Sequence, residues 1–127
     1  MSPVLDASAV LAYLHQETGW EGIQAVVAES CIGAVNWSEV AQKTVQKGLN
    51  VKTARALLEE VGLTIAPFSA SQAELAAHLW TSTRRNGLSS LADRACLALA
   101  LEREAPVLTA DRAWSKLELE VDIRLVR

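Results

Sequence analysis

The sequence predicts an α/β fold with three layers, in which a mainly parallel central sheet of four to five strands is flanked by helices. Short apolar runs of strand length alternate along the chain with longer segments whose apolar residues recur at helical spacing. Strands separated by helices need crossover connections, and crossovers cover both faces of a parallel sheet. The 127 residues, half of them hydrophobic, are enough for a single domain, residues 1–127, with its own core.

Five short apolar runs supply the predicted strands. The first begins at Pro3 and ends at Asp6, whose carboxylate interrupts the apolar pattern. The second, third and fourth runs are each preceded by a segment with helical spacing, which favours a parallel sheet over hairpins. The predicted strands comprise residues 3–6, 31–35, 63–67, 107–109 and 121–125.

Capping residues mark the predicted helices. Thr18 and Glu21 have the spacing of a capping box, Asn36 and Glu39 form a similar pair, and Asn50 precedes a further apolar stripe that ends at Val61. The stripe of that helix is expected to be buried, and Trp80, on the apolar face of the next helix, is expected in the core or at a dimer interface. The predicted helices comprise residues 7–14, 18–28, 36–47, 50–61, 69 through at least 80, and 89–104.

The composition limits the classes of protein and their location. A net charge of −3 and a pI near 5.4 argue against a protein that coats nucleic acid by overall charge, although local basic patches are compatible with both values. Cys31 and Cys96 lack metal-site spacing and lie among small apolar residues, so we expect two buried free thiols. No signal peptide pattern or bilayer-length apolar stretch is present, which predicts a cytoplasmic protein that does not enter a membrane.

Four acidic residues are predicted to meet at one edge of the sheet. Asp6 and Asp111 follow the first and fourth strands, and Glu39 comes shortly after the second. Asp93 lies near the start of the helix before the fourth strand, on an otherwise apolar stripe where an unpaired carboxylate is costly. Ligands of open parallel sheets bind outside the carboxyl ends of the strands, so this edge is the expected site.

Each acid alone has an ordinary explanation as a helix cap or turn residue. Together they would repel one another, and their pKa values would rise unless a cation neutralised them. Oxygen ligands suit Mg²⁺ or Mn²⁺ better than zinc, and such sites carry out phosphoryl or phosphodiester chemistry. The hydroxyls of Ser8 and Thr109 lie two residues from Asp6 and Asp111, where they would orient the carboxylates or serve as ordinary caps.

Four sequence blocks carry a resemblance to a known family. They are VLDASA at residues 4–9, NWSEV at 36–40, GLSSLADRACLALA at 87–100 and PVLTADRAW at 106–114. These blocks resemble those of PIN-domain proteins, and among these most of all the VapC toxins of bacterial toxin–antitoxin pairs. The resemblance spans essentially the whole chain, in the family's order.

The resemblance implies a PIN fold and an endoribonuclease dependent on Mg²⁺ or Mn²⁺. It carries over Asp6, Glu39, Asp93 and Asp111 as the catalytic and metal-binding acids, with Ser8 and Thr109 in support. It also implies an RNA substrate, a homodimer, and a small antitoxin that blocks the site. For contacts to RNA the sequence offers a stacking side chain, Trp37, and eight cations, namely Lys43, Lys47, Lys52, Arg55, Arg84, Arg85, Arg94 and Arg112. For the lysines the alternative is an ordinary solvated helix face.

Other readings of the acids are weaker or remain open. A haloacid-dehalogenase-type phosphatase needs a second aspartate two residues after the first, where this chain has Ser8. A receiver domain needs paired acids there and a lysine after its last strand, and neither is present. A PIN nuclease that processes RNA without an antitoxin, and a catalytically inert PIN-like binding module, both remain compatible with the residues.

Overall fold

The computed structural model describes residues 2–127 and contains one five-stranded sheet. Its strands are β1 (Val4–Leu5), β2 (Cys31–Gly33), β3 (Thr64–Ala66), β4 (Val107–Thr109) and β5 (Ile123–Leu125). They lie in the order β3-β2-β1-β4-β5, and each neighbouring pair is parallel. The chain therefore builds one half of the sheet outward from β1, then returns to add β4 and β5 on the other side. The strand order switches between β1 and β4, which is where such sheets bind ligands.

Six α-helices cover the sheet. They are α1 (Ala7–Leu14), α2 (Trp20–Gln24), α3 (Ala34–Gln46), α4 (Val51–Glu60), α5 (Ala70–Thr83) and α6 (Leu91–Arg103). Short 3₁₀ turns occupy Val27–Glu29, Arg84–Asn86 and Arg112–Lys116. Side-chain caps begin several helices as the sequence predicts: the Asn50 side chain accepts from the Thr53 N–H at 3.0 Å.

Two apolar cores, one on each face of the sheet, complete the three layers. Leu79 of α5 and Leu97 of α6 belong to the core on one face. Val10 of α1 and Val40 of α3 belong to the core on the other. Because β1 is the middle strand, Val4 and Leu5 are fully buried between the two. The predicted α/β fold with a parallel sheet flanked by helices is confirmed.

Two predicted helix starts are wrong. β2 ends at Gly33 and α3 begins at Ala34, so Asn36 lies inside the helix instead of capping it. Glu39 is consequently more than one turn into α3, where its side chain projects from the helix face. At α2 the N-cap is Gly19 with φ of +93°, no side-chain cap forms, and the helix ends at Gln24. The end of the predicted helix 18–28 is replaced by a 3₁₀ turn at Val27–Glu29.

The expected burial fails on α4, and of the two positions expected for Trp80 the core is excluded. Leu58 is the buried residue of α4, whereas Leu57 and Val61 of the predicted stripe are exposed. Trp80 is 47% exposed, because α5 turns its indole away from the core that Ala76 and Leu79 enter. Cys31 and Cys96 are both buried free thiols, as predicted. No helix within residues 2–127 combines the length and apolarity that a membrane span requires.

Candidate active site

Asp6 is fixed by hydrogen bonds at the carboxyl end of the central strand. Its side chain is 5% exposed and caps α1, with Oδ1 accepting from the Ala9 N–H at 2.9 Å. The Ser8 hydroxyl donates to the same oxygen at 2.7 Å, and the Thr109 hydroxyl donates to Oδ2. A buried carboxylate is therefore supplied with donors on both oxygens, which orients it and offsets part of the cost of its burial.

Ser8 and Thr109 together join the ends of β1 and β4. Their hydroxyl oxygens lie 3.2 Å apart, and both hydroxyl hydrogens are directed at Asp6. The oxygens in turn accept backbone hydrogen bonds, from the Ala110 N–H to Ser8 at 2.9 Å and from the Asp111 N–H to Thr109 at 3.0 Å. The same two side chains thus hold Asp6 and set the backbone that carries Asp111.

Asp111 and Asp93 approach from the β4 side of the switch point. Asp111 caps the 3₁₀ turn after β4, with its Oδ1 accepting from the Ala113 N–H at 3.0 Å, and its side chain is exposed. Asp93 is half-buried in the first turn of α6, and its backbone N–H donates to the capping hydroxyl of Ser90 at 3.1 Å. The α6 N-terminus favours a negative charge at this position.

Glu39 is linked to α6 through Asn36, one turn earlier on the same face of α3. The Asn36 Nδ2 donates to the Ala92 carbonyl at 3.0 Å and lies 3.4 Å from Glu39 Oε1. Asn36 is 2% exposed, and its Oδ1 has no hydrogen-bond partner among residues 2–127. A single buried amide therefore connects the helix that carries Glu39 to the residue preceding Asp93.

Charges of neighbouring acids contribute to the raised pKa values of three of the four acids, Asp6, Glu39 and Asp93. Burial raises the pKa of Asp6, although three hydrogen bonds lower it. The negative charge of Asp111 raises it further. Desolvation likewise raises the pKa of Glu39, and the charges of Asp93 and Asp6 add to this effect. Desolvation also raises the pKa of Asp93, with a further contribution from Asp111. Each acid thus acts on at least one other, and the four form a continuous cluster.

The cluster has little positive charge within it. Among residues 2–127, none of the ion pairs involves Asp6, Glu39, Asp93 or Asp111. Lys43, one turn beyond Glu39 on α3, is the cation that lowers the pKa of Glu39. Beneath the cluster, burial raises the pKa of the Cys96 thiol well above its usual value, and the charges of Asp6 and Asp93 add to this effect.

The donor set suits a hard divalent cation. It consists of carboxylate and hydroxyl oxygens, which Mg²⁺ and Mn²⁺ prefer. Within residues 2–127, no three Asp, Glu, His or Cys side chains already lie together as a finished ligand cluster. The exposed Glu39 and Asp111 side chains have room to move. The four acids are the residues that would hold a cation.

The residues predicted to contact RNA lie in varied surroundings. The Arg94 guanidinium donates to the carbonyls of Ser89 at 3.0 Å and Ala76 at 2.9 Å, so it braces α6 against α5. Arg84 lies over the Trp80 ring, 4.9 Å from its centroid. Arg85 and Arg112 are exposed. Trp37, which belongs to α3, is partly buried against the core.

Asn36 is the member of the site whose position the sequence does not indicate. The Asn36–Glu39 spacing fits a helix cap, and the same three-residue spacing also places both side chains on one helix face. Burial of Asn36 distinguishes the helix-face position from the cap position, and that burial depends on where α6 packs.

Comparison with known proteins identifies the family. The PIN domain family model matches residues 4–119, so the chain belongs to the PIN domain family, and the resemblance seen in the sequence is confirmed. No curated protein matches the sequence.

Solved structures share the fold at low sequence identity. A toxin–antitoxin complex from Klebsiella pneumoniae has a TM-score of 0.74 at 17% identity, with 96% of this chain and 100% of that chain covered. DNA-bound VapBC from Salmonella typhimurium has a TM-score of 0.72 at 17% identity, with 100% of both chains covered. The sarcin-ricin loop cleaving toxin VapC20 from Mycobacterium tuberculosis has a TM-score of 0.70 at 14% identity, with 95% and 99% covered.

The raised pKa values predict how stability depends on pH in the metal-free protein. A carboxyl whose pKa is higher in the folded than in the unfolded state makes folding less favourable as pH rises through that interval. Asp93→Asn removes one such group, so the variant should gain stability over the wild type as pH rises from below 3.8, the ordinary value for Asp93, towards 7. Denaturant unfolding at a series of pH values measures this difference.

A matched variant is Asp122→Asn, which removes an exposed carboxylate paired with Arg124 at 2.7 Å. It should give no such gain. If Asp93→Asn were no more stable than the wild type at pH 7, the four acids would not be repelling one another in the folded protein.

Replacement of Asn36 by Leu separates support of Glu39 from support of the fold. Asn36 is buried with one unpartnered oxygen, so an apolar side chain of similar shape should leave the melting temperature of the metal-free protein unchanged or higher. Loss of the amide next to Glu39 should weaken Mn²⁺ binding by about tenfold, as removal of outer-shell partners typically does. Calorimetry of melting and of Mn²⁺ binding provides the two measurements.

Thr44→Val is the control within the same helix. Thr44 is equally buried and bonds to the Val40 carbonyl at 2.9 Å, away from the acids. It should leave Mn²⁺ affinity as in the wild type. Wild-type Mn²⁺ affinity in the Asn36→Leu variant would contradict a positioning role for the amide.

Proposed function

We propose that this PIN-domain protein is the toxin of a toxin–antitoxin pair and hydrolyses RNA phosphodiester bonds with Mg²⁺ or Mn²⁺. The observation that carries the proposal is the cluster of four mutually repelling carboxylates at the switch point between β1 and β4. Its support comes from membership of the PIN domain family and from the fold shared with a toxin–antitoxin complex from Klebsiella pneumoniae and with a sarcin-ricin loop cleaving toxin. The cytoplasm, where RNA is available, is the expected location.

The division of labour among the residues follows from their surroundings. Asp6 is the fixed carboxylate, because two hydroxyls and one backbone N–H hold it. Asp93, Glu39 and Asp111 complete the set of oxygens that would hold the cation. When bound, the cation activates water for attack on the phosphate and stabilises the charge of the leaving oxygen. Ser8 and Thr109 act through Asp6 and are positioning residues.

An antitoxin partner is the second part of the proposal. The solved complexes with this fold include toxins assembled with their antitoxins, among them one from Klebsiella pneumoniae. The chain also leaves apolar side chains exposed along the end of α3 and on α4, a kind of surface that a partner protein covers. These exposed side chains are Val45, Leu49, Leu57 and Val61. A homodimer is also expected, and sedimentation equilibrium of the purified protein tests it.

The antitoxin-free protein is predicted to cut single-stranded RNA when Mg²⁺ or Mn²⁺ is present and to stop when EDTA is added. Asp93→Asn keeps the size of the side chain and removes one ligand charge. It should lower the cleavage rate by at least about 100-fold, beyond the effect expected for an outer-shell partner. Gel analysis of a labelled RNA over time measures both rates.

Cleavage that persists in EDTA would contradict the metal-dependent mechanism, and wild-type cleavage by Asp93→Asn would remove Asp93 from the site. An inert binding module would cut no RNA under any condition. Growth arrest on expression, relieved by a co-expressed antitoxin, separates the toxin from a nuclease that processes RNA without one.

A further inference from the structure

A groove with two free lysines opens beside the acid cluster. It encloses about 260 Å³ and runs between α1 and α3, with the C-terminal residue at its side. We call it the α1–α3 groove and define it by the residues that line it, which are Ser8, Leu11, His15, Glu17, Lys43, Lys47 and Arg127. Ser8 forms the end nearest the acids, since its hydroxyl donates to Asp6 at 2.7 Å. The groove therefore adjoins the candidate active site at Ser8.

The helical period of α3 aligns the lysines with the acid. Glu39, Lys43 and Lys47 follow one another at intervals of four residues, so they lie along one face of the helix and its C-cap. Each interval corresponds to about 6 Å along the helix axis. Along this face the Glu39 carboxylate is thus followed by the ammonium groups of Lys43 and then Lys47.

The positive charge of the groove is available to a ligand. Within residues 2–127, neither Lys43 nor Lys47 forms an ion pair. Arg127 is paired with Glu17 at 3.4 Å, and both side chains are partly exposed. Since the whole chain carries a net charge of −3, this groove is a local exception to its acidic character.

We propose that the α1–α3 groove binds the phosphate backbone of the RNA strand on one side of the bond that is cut. The proposal rests on the proposed function, because it assigns the route by which RNA reaches the acids. Lys43 and Lys47 contact successive parts of the backbone and supply the attraction that an acidic cluster cannot. Phosphate contacts position the strand without reading its sequence.

A second basic cavity offers the alternative route. It encloses about 400 Å³ and contains Arg85 and Lys116, together with the acidic Glu118. None of the four acids lines either cavity, but Ser8 of the α1–α3 groove donates to Asp6, whereas within residues 2–127 no residue of the second cavity is hydrogen-bonded to any of the four. A strand bound there would have no direct continuation to the acids, so the observations favour the smaller α1–α3 groove.

The test compares two double variants that remove the same number of charges. Lys43→Ala with Lys47→Ala changes the groove, and Arg85→Ala with Lys116→Ala changes the second cavity. Both are made in the Asp93→Asn background, and binding of a fluorescent single-stranded RNA oligonucleotide is measured by anisotropy in EDTA at several salt concentrations. Melting temperatures verify that each variant folds.

The groove variant should bind RNA roughly tenfold more weakly at moderate salt. Its plot of log affinity against log salt should be shallower by about 1.4, since each phosphate contact to a single strand contributes about 0.7. Lys43→Arg with Lys47→Arg should restore the affinity. Lys47→Ala alone, two turns from Glu39, should show about half of the slope change and excludes an effect through that acid.

Equal losses in both double variants, or a loss confined to the Arg85 and Lys116 variant, would overturn the groove assignment. If the wild type cuts RNA and the groove variant binds with unchanged slope, the groove proposal fails while the nuclease proposal stands. If the wild type neither binds nor cuts RNA, both fail.

Discussion

Four acidic residues gather at one edge of the sheet, and the burial of three of them, together with repulsion from their neighbours, is the constraint around which this PIN domain is organised. The pKa values of Asp6, Glu39 and Asp93 are all raised, and in each case desolvation is the largest cause and neighbouring acids add to it. A fold that only needed to be stable would place these groups apart or pair them with cations. Their retention at one edge of the sheet is a cost to the metal-free protein that binding of a divalent cation would offset.

The sheet topology brings the acids together and the hydroxyls keep them there. Because the strand order switches between β1 and β4, Asp6 and Asp111 leave adjacent strands at the same edge. The Ser8 and Thr109 hydroxyls donate to Asp6, and their oxygens accept hydrogen bonds from the backbone N–H groups of Ala110 and Asp111. The rigid half of the site lies at this junction, whereas Glu39 and Asp111 retain exposed side chains. Such a division suits a site that closes around a cation.

Much of this arrangement was accessible from the sequence because it follows from chain topology. Alternating strands and helices predict a parallel sheet, and acids at strand ends then meet at one edge. Asn36 was misassigned as a cap because Gly33, one residue after Ile32, ends β2 earlier than the apolar run suggests. The α1–α3 groove depends on how two helices pack. The exposure of Trp80 depends on which side of α5 faces the core. Neither is encoded in local periodicity.

The central claim is that Asp6, Glu39, Asp93 and Asp111 form one cation site, and a titration of Mn²⁺ followed by electron paramagnetic resonance tests it most directly. The account predicts saturable binding by the wild type and weaker binding whenever any one of the four acids is changed to its amide. Glu118 is an exposed acid outside the proposed site, so Glu118→Gln should leave Mn²⁺ binding unchanged. Absence of saturable Mn²⁺ binding by the folded wild type, or undiminished binding in all four amide variants, would contradict the account.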